Sequence, residues 1–288
     1  MFDKSKDNTL TGFSVIDLTD EKAELCIKLL SDMGAHITTV APEDKRFRNF
    51  VTNADILIET FPPGYLASLG AGYDVLSKIN PQLIMASITH FGQTGPYKNL
   101  KSSDLVNQAM GGWLSVTGEQ LQPLKLFGNQ SYNIASLFAV NGIFLALWQM
   151  HTTGIGQYLD ISIMECVAAS TDYILPRYLV EKTVSKRQGS LHWNSAFRIF
   201  RCRDGYILLT IHHRWDSLVE LMVSEGMADD LTDAKWRDRR YRDQHLNHII
   251  EVVEIWTLNH QAGELEELGQ LMRFPWAQVK GPENEQKR

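Results

Sequence analysis

The stretch FGQTGPYKNLK, residues 91–101, places two glycines and a proline within its first six residues and ends on a lysine. It follows directly on the apolar run LIMAS, residues 83–87. A strand ending in a turn would account for it. So would a loop whose backbone comes close to a ligand, since glycine leaves room for such an approach. Other side chains offer chemistry at weaker spacing. His245 and His248 lie three apart and could hold a metal from one helix face. No third ligand stands nearby in sequence, so a half-exposed surface pair is expected and no metal site. His212 and His213 end a strand, and His192 with Trp193 lies in a loop where aromatic rings cover a core edge. Cys26, Cys166 and Cys202 are widely spaced and form no CxxC, which excludes a cysteine zinc site and fits reduced thiols in a cytoplasmic protein.

Charge narrows the partners. The formal net charge of the 288-residue chain is -6, which argues against nucleic acid and against an anionic membrane surface. The one basic cluster, KWRDRRYRD at 235–243, alternates its arginines with Asp238 and Asp243 and reads as a salt-bridged surface. The opening MFDKSKDNTL has no apolar signal core. The apolar stretch IASLFAVNGIFLALWQM, residues 134–150, is near the lower length limit for a membrane span and is interrupted by Asn141 and Gln149. It is expected to be a fully buried helix, suited to a subunit interface.

The elements that must position these residues follow from periodicity. FSVIDL (13–18) reads as a strand, and the next segment carries apolar residues at 23, 26, 27, 30 and 33 before Gly34, the helical period. AHITTV (35–40) is the next strand, so the chain opens as a parallel βαβ unit. A charged connector (43–53), the strand ADILIE (54–59) and an FPPG turn follow. A helical stretch broken at Gly70 and Gly72 leads to the strand QLIMASIT. Ser103 can cap the helix after the opening loop, and Gly111-Gly112 allows a close approach. TTGIGQYLDISI is a turn and strand, and 164–182 a single helix. Composition shifts at 184–195, and a hairpin turns at Asp204-Gly205 before two helical segments. The reading is α/β: a Rossmann-like large lobe with a mostly parallel sheet over 1–188 and a smaller α+β lobe over 189–288.

The block ADILIETFPPGYLASLGAGYDVLSKINPQLIMASITHFGQTGPY resembles the class III CoA-transferases, the carnitine dehydratase and bile-acid-inducible type. TGIGQYLDISIMECV and the FRIFRCRDGYI hairpin also resemble the corresponding family stretches. The resemblance implies transfer of CoA between carboxylic acids. A side-chain aspartate attacks the acyl-CoA thioester, and the released CoA thiolate reopens the resulting anhydride to give an aspartyl thioester. Only a carboxylate can carry CoA on its own acyl carbon. The resemblance also implies that Thr60, Phe61 and Lys101 lie beside CoA, with Lys101 meeting a phosphate as a point charge. Two family chains are linked through each other as a dimer.

The departures fall on the chemistry. Counting back from Thr153-Gly154, the family's aspartate position lands on Tyr132, and the window LFGNQSYNIAS contains no acid. A phenol with a pKa near 10 is ionised in only about one molecule in a thousand at neutral pH, and it has no acyl carbon. Glu165 and Asp160 are the nearest acids in sequence and are weak replacements. Asp20, Glu21 and Glu24 replace a small-residue loop that would lie against CoA. Pro62 and Ser68 stand where polar or basic residues are common, the 41–53 connector is short, and the family's returning C-terminal segment is expected to be missing. The expected role is therefore a non-catalytic subunit that forms a homodimer, or a heterodimer with a full-length family member. CoA or acyl-CoA is a weak ligand at most and is never covalently bound. The alternatives are an active CoA-transferase with a relocated carboxylate, an acyl-CoA racemase or isomerase (whose histidine would fall near Ser103 and is missing), and a CoA-independent binding protein.

Overall fold

The computed structural model describes residues 8–171, 173–192 and 197–281. Trp193 and the end of the expected lobe boundary lie outside the described residues. The chain forms two compact units. One comprises residues 1–117 and 122–187, the other 118–121 and 188–288.

The first unit is built on five strands: β1 (Ser14–Leu18), β2 (His36–Thr39), β3 (Ile56–Glu59), β4 (Ile84–Thr89) and β5 (Tyr158–Ser162). All pair in parallel, in the order β2-β1-β3-β4-β5. The central strands are apolar on both faces because helices cover both. Val15, Ile56, Ile58, Ile84, Ala86 and Ile88 pack with Cys26 and Leu30 of α1 (Glu24–Asp32), and with Ala135, Ala139, Ile143 and Ala146 of the long helix described below. Their neighbours of opposite parity, Ile16, Leu57 and Met85, pack against α2 (Phe47–Asn53), α3 (Tyr65–Ser68) and α4 (Tyr73–Ile79). The charged connector therefore holds a helix, because Phe47 and Val51, one turn apart, reach this second core.

Next come α5 (Asp104–Met110), α6 (Trp113–Val116) and α7 (Gln130–Thr153). Ser103 does cap α5, accepting a hydrogen bond from the Val106 amide. The close approach allowed by Gly111 is to Val167, whose Cγ1 would lie 2.4 Å from a Cβ there. The 24-residue α7 is not fully buried, contrary to expectation. Its small residues face the sheet, while Leu145 and Trp148 are 65% and 74% exposed. It is long and apolar enough to cross a membrane, but its inner face belongs to the core. The single helix expected over 164–182 is two, α8 (Ile163–Ala169) and α9 (Ile174–Glu181).

The second unit has an antiparallel sheet of β6 (Phe197–Arg201), β7 (Tyr206–Thr210) and the two-residue β8 (Ala277–Gln278). Its described residues carry four α-helices where two segments were expected: α10 (Trp215–Ser224), α11 (Arg239–Gln244), α12 (Leu246–Thr257) and α13 (Ala262–Met272). Trp236, Trp256, Trp276 and Phe274 fill its core. The basic cluster is ion-paired: Lys235 reaches Asp230 and Asp233, and Arg239 reaches Asp243. Arg242 is buried over the Trp215 ring at 4.8 Å.

Candidate functional site

The carboxyl ends of β1 to β4 open into a cleft of about 970 Å3 in the first unit. Open parallel sheets bind ligands at this edge, where the strand order reverses. One wall is the turn after β3, with Thr60, Phe61, Pro62 and Pro63, and another is the second half of the glycine loop, residues 98–102. Thr60, Phe61 and Lys101 thus come together in one cavity. The Thr60 hydroxyl accepts a hydrogen bond from the Asp20 amide at 3.0 Å, and the Phe61 ring packs 4.7 Å from Tyr65.

Lys22, Lys98 and Lys101 bring positive charge to the cleft, and Asp17, Asp20 and Glu43 bring negative charge. Of the three acids expected to oppose a phosphate-bearing ligand, only Asp20 lines it; Glu21 and Glu24 are exposed elsewhere. Asp20 is paired with Lys22. Burial works to raise its carboxyl, but the hydrogen bonds from Lys22 outweigh that and hold it below the usual range. His90 also lines the cleft, with Nδ1 2.9 Å from the Asn107 amide nitrogen. Burial, then Lys22, holds its imidazole below the ordinary value.

Tyr132 does not line the cleft. It is 7% exposed, sits in the core at the start of α7, and its ring lies 6.0 Å from His90. Burial pushes its phenol up to about 12, with Glu21, Asp104 and Asp20 adding to the effect. The phenol stays neutral at any physiological pH. Glu165 is exposed in the first turn of α8, where its amide donates to Ser162. Asp160 is exposed on β5 and accepts the Gln93 amide on both oxygens at 3.0 Å. Neither acid reaches the cleft.

Sequence reasoning missed the acid that does lie beside Tyr132. Asp104, at the start of α5, is 6% exposed. It accepts from the Ser131 amide (2.9 Å), the Ser131 hydroxyl (2.8 Å) and Gln108 Nε2 (2.8 Å), and pairs with Lys125 at 2.7 Å. Burial favours its neutral form, yet the donors from Lys125 and Ser131 hold it below the usual carboxylate range. Its lone pairs are spent on anchoring α7: a carboxylate on a first-turn amide satisfies an orphan donor and complements the helix dipole. The signal was SSD at 102–104, which read as a local cap only.

In the second unit, His245 stacks on Tyr241 at 4.0 Å while His248 lies 2.6 Å from Asp230, so the two histidines do not act as a pair. Asp229 and Asp230, distant from His248 in sequence, offer oxygens within 4.8 Å of its ring nitrogen and of each other. Lys235 already claims Asp230.

The CoA-transferase family III profile matches residues 41–286. The chain belongs to CoA-transferase family III. Curated relatives include the succinyl-CoA:(R)-benzylsuccinate CoA-transferase subunit BbsE of Thauera aromatica, 32% identical over 78% of this chain and 57% of its own length. Another is the beta subunit of succinyl-CoA–L-malate CoA-transferase of Chloroflexus aurantiacus, 31% identical over 75% of this chain and 54% of its own. The chain spans a little over half the length of these relatives. A CaiB/BaiF family protein of Brucella suis shares the fold, with TM-score 0.85 and 24% identity over 96% of this chain and 85% of that one. The α/β reading of the sequence agrees with that fold.

Proposed function

We propose that this chain is a non-catalytic subunit of a class III CoA-transferase, with a CoA-sized cleft and an apolar docking face but no nucleophile of its own. The observation that carries this reading is the start of α7. Counting along the family pattern brings Tyr132 to the nucleophile position, and its phenol is buried, neutral and without an acyl carbon. Asp104, the acid beside it, is committed to four donors. An attacking carboxylate needs a free lone pair facing the thioester, and this one has none without unpinning the helix. Two of the relatives are themselves named as subunits, which supports a multi-chain enzyme.

The cleft suits the nucleotide part of CoA. Its volume lies in the range of about 300–1,000 Å3 typical of small-molecule sites, and Lys98 and Lys101 can meet phosphates. The exposed side of α7 suits a partner: a complete family member that supplies the aspartate, or a second copy. The buried, unpaired cysteines fit the cytoplasm as its setting.

The test is intact-mass analysis after incubation with succinyl-CoA, the donor named for several relatives. The chain alone is expected to gain no mass and to transfer no CoA. Coexpressed with a complete family member it should copurify, with activity that is lost when the partner's aspartate is replaced. A CoA adduct mapped to Asp104, Glu165 or Asp160 would overturn the reading.

A further inference from the structure

Gln93 links three segments of the first unit, reaching Asp160, Glu59 and Gly64. Its amide donates to both oxygens of Asp160 on β5. Its Nε2 donates to Glu59 Oε1 at 3.4 Å, and its Oε1 accepts the Gly64 amide at 3.2 Å. The reverse amide orientation would set its NH2 against the Gly64 N–H, so the network fixes the orientation. Glu59 ends β3 and is 3% exposed. It also accepts the Phe61 amide at 2.7 Å and a hydrogen bond from Ser87 on β4. The Ser87 hydroxyl in turn accepts from Tyr158 at 2.9 Å. One carboxylate and one amide side chain thus join the 60–64 turn to the glycine loop, whose later residues, 98–102, line the cleft together with residues 60–63.

We propose that Glu59 and Gln93 are positioning residues: a proton-sensitive clamp that holds the loop carrying Lys98 and Lys101 against the 60–64 turn and so sets the grip of the cleft on a phosphate-bearing ligand. The ligand class rests on the reading of the cleft given above; the clamp itself rests on the hydrogen bonds. The Phe61 amide and Gln93 Nε2 can only donate, so both need Glu59 as an acceptor. A proton on Glu59 fits only towards the Ser87 hydroxyl, which can turn to accept it, and the links to Phe61 and Gln93 then lose the carboxylate's charge and weaken. Burial pushes the carboxyl up to about 7; hydrogen bonds from Ser87 and Phe61 oppose that, Asp160 adds to it and Lys22 opposes it. Tyr65, Tyr73, Asp74 and Tyr158 face the same small cavity of about 220 Å3, through which water can exchange the proton. The clamp is engaged above neutrality and released as pH falls.

The test compares coenzyme A binding by wild type, Glu59→Gln and Gln93→Ala, with hydrogen exchange of the 92–97 amides corrected for intrinsic rate. If only the ionised clamp binds, wild-type affinity falls about tenfold from pH 8 to pH 6, as the competent fraction drops from roughly ten elevenths to one eleventh. Loop exchange should accelerate over the same interval. Both variants should bind at pH 8 as weakly as wild type does at pH 6, without that pH step. Titration of His90 and of the ligand phosphates is common to all three proteins and cancels in the comparison. Equal pH dependence in wild type and variants, with unchanged loop exchange, would overturn the clamp and leave the cleft reading intact. Absence of binding by wild type at pH 8 would sink the cleft reading, and the exchange step would then decide the clamp alone. A thermal melt confirms that each variant is folded.

Discussion

Asp104 and Tyr132 share one buried corner at the start of α7. The Asp104 carboxylate anchors that helix through Ser131, and the residue after Ser131 is a buried phenol. Replacing Asp104 by Ala leaves the Ser131 amide and hydroxyl without their acceptor and Lys125 without its counterion. The expected cost is about 2 kcal/mol, in line with losing hydrogen bonds to a charged group, read as a lower urea midpoint. The sign with pH follows from the depressed carboxyl. Its stabilisation is complete above the unfolded value of about 3.9 and is lost as pH falls through the lower folded value. The sequence made the absence of an acid at 126–136 legible, because absence from a window needs no coordinates. It could not show Asp104 crossing 27 residues to that helix end, since only the fold brings the two together.

The elements were the most legible level. The strand–helix–strand order predicted the parallel sheet, and Ser103 announced α5. Residues 43–53 read only as a charged connector because their charged side chains hide Phe47 and Val51, and α7 was wrongly expected to be wholly buried because apolar letters do not say which face meets the core. The TGIGQ turn has a mechanical role that its letters only suggest. Gly154 ends α7 at a φ of 73°, and Gly156 lies against β4, where an added Cβ would come 2.0 Å from the Leu83 carbonyl oxygen. Gly156→Ala must therefore push β5 away from β4. A loss of 3 kcal/mol or more is expected, about the scale of severe backbone or overpacking strain, and circular dichroism melts would register it. A melting temperature within error of wild type would show that this packing is slack.

For the whole molecule, the exposed side of α7 sets the expectation. Leu137, Phe138, Leu145 and Trp148 are all open on one helix, more apolar surface than a lone soluble chain usually leaves bare. Light scattering of the purified chain should give a mass above the 32.7 kDa of one copy, and Trp148→Glu should shift it towards one copy or prevent copurification with a partner. A monodisperse single copy of the unaltered chain would count against the docking face.

Every sulfhydryl in the chain is sealed inside: Cys26 and Cys166 are pushed up to about 12 and Cys202 to about 11, each by burial. Thiolates are what alkylating dyes attack, so the native chain is mute towards them. A single cysteine exchanged for Lys101 would then be its sole reactive sulfur, and a fluorophore placed there would report on the cleft lining alone.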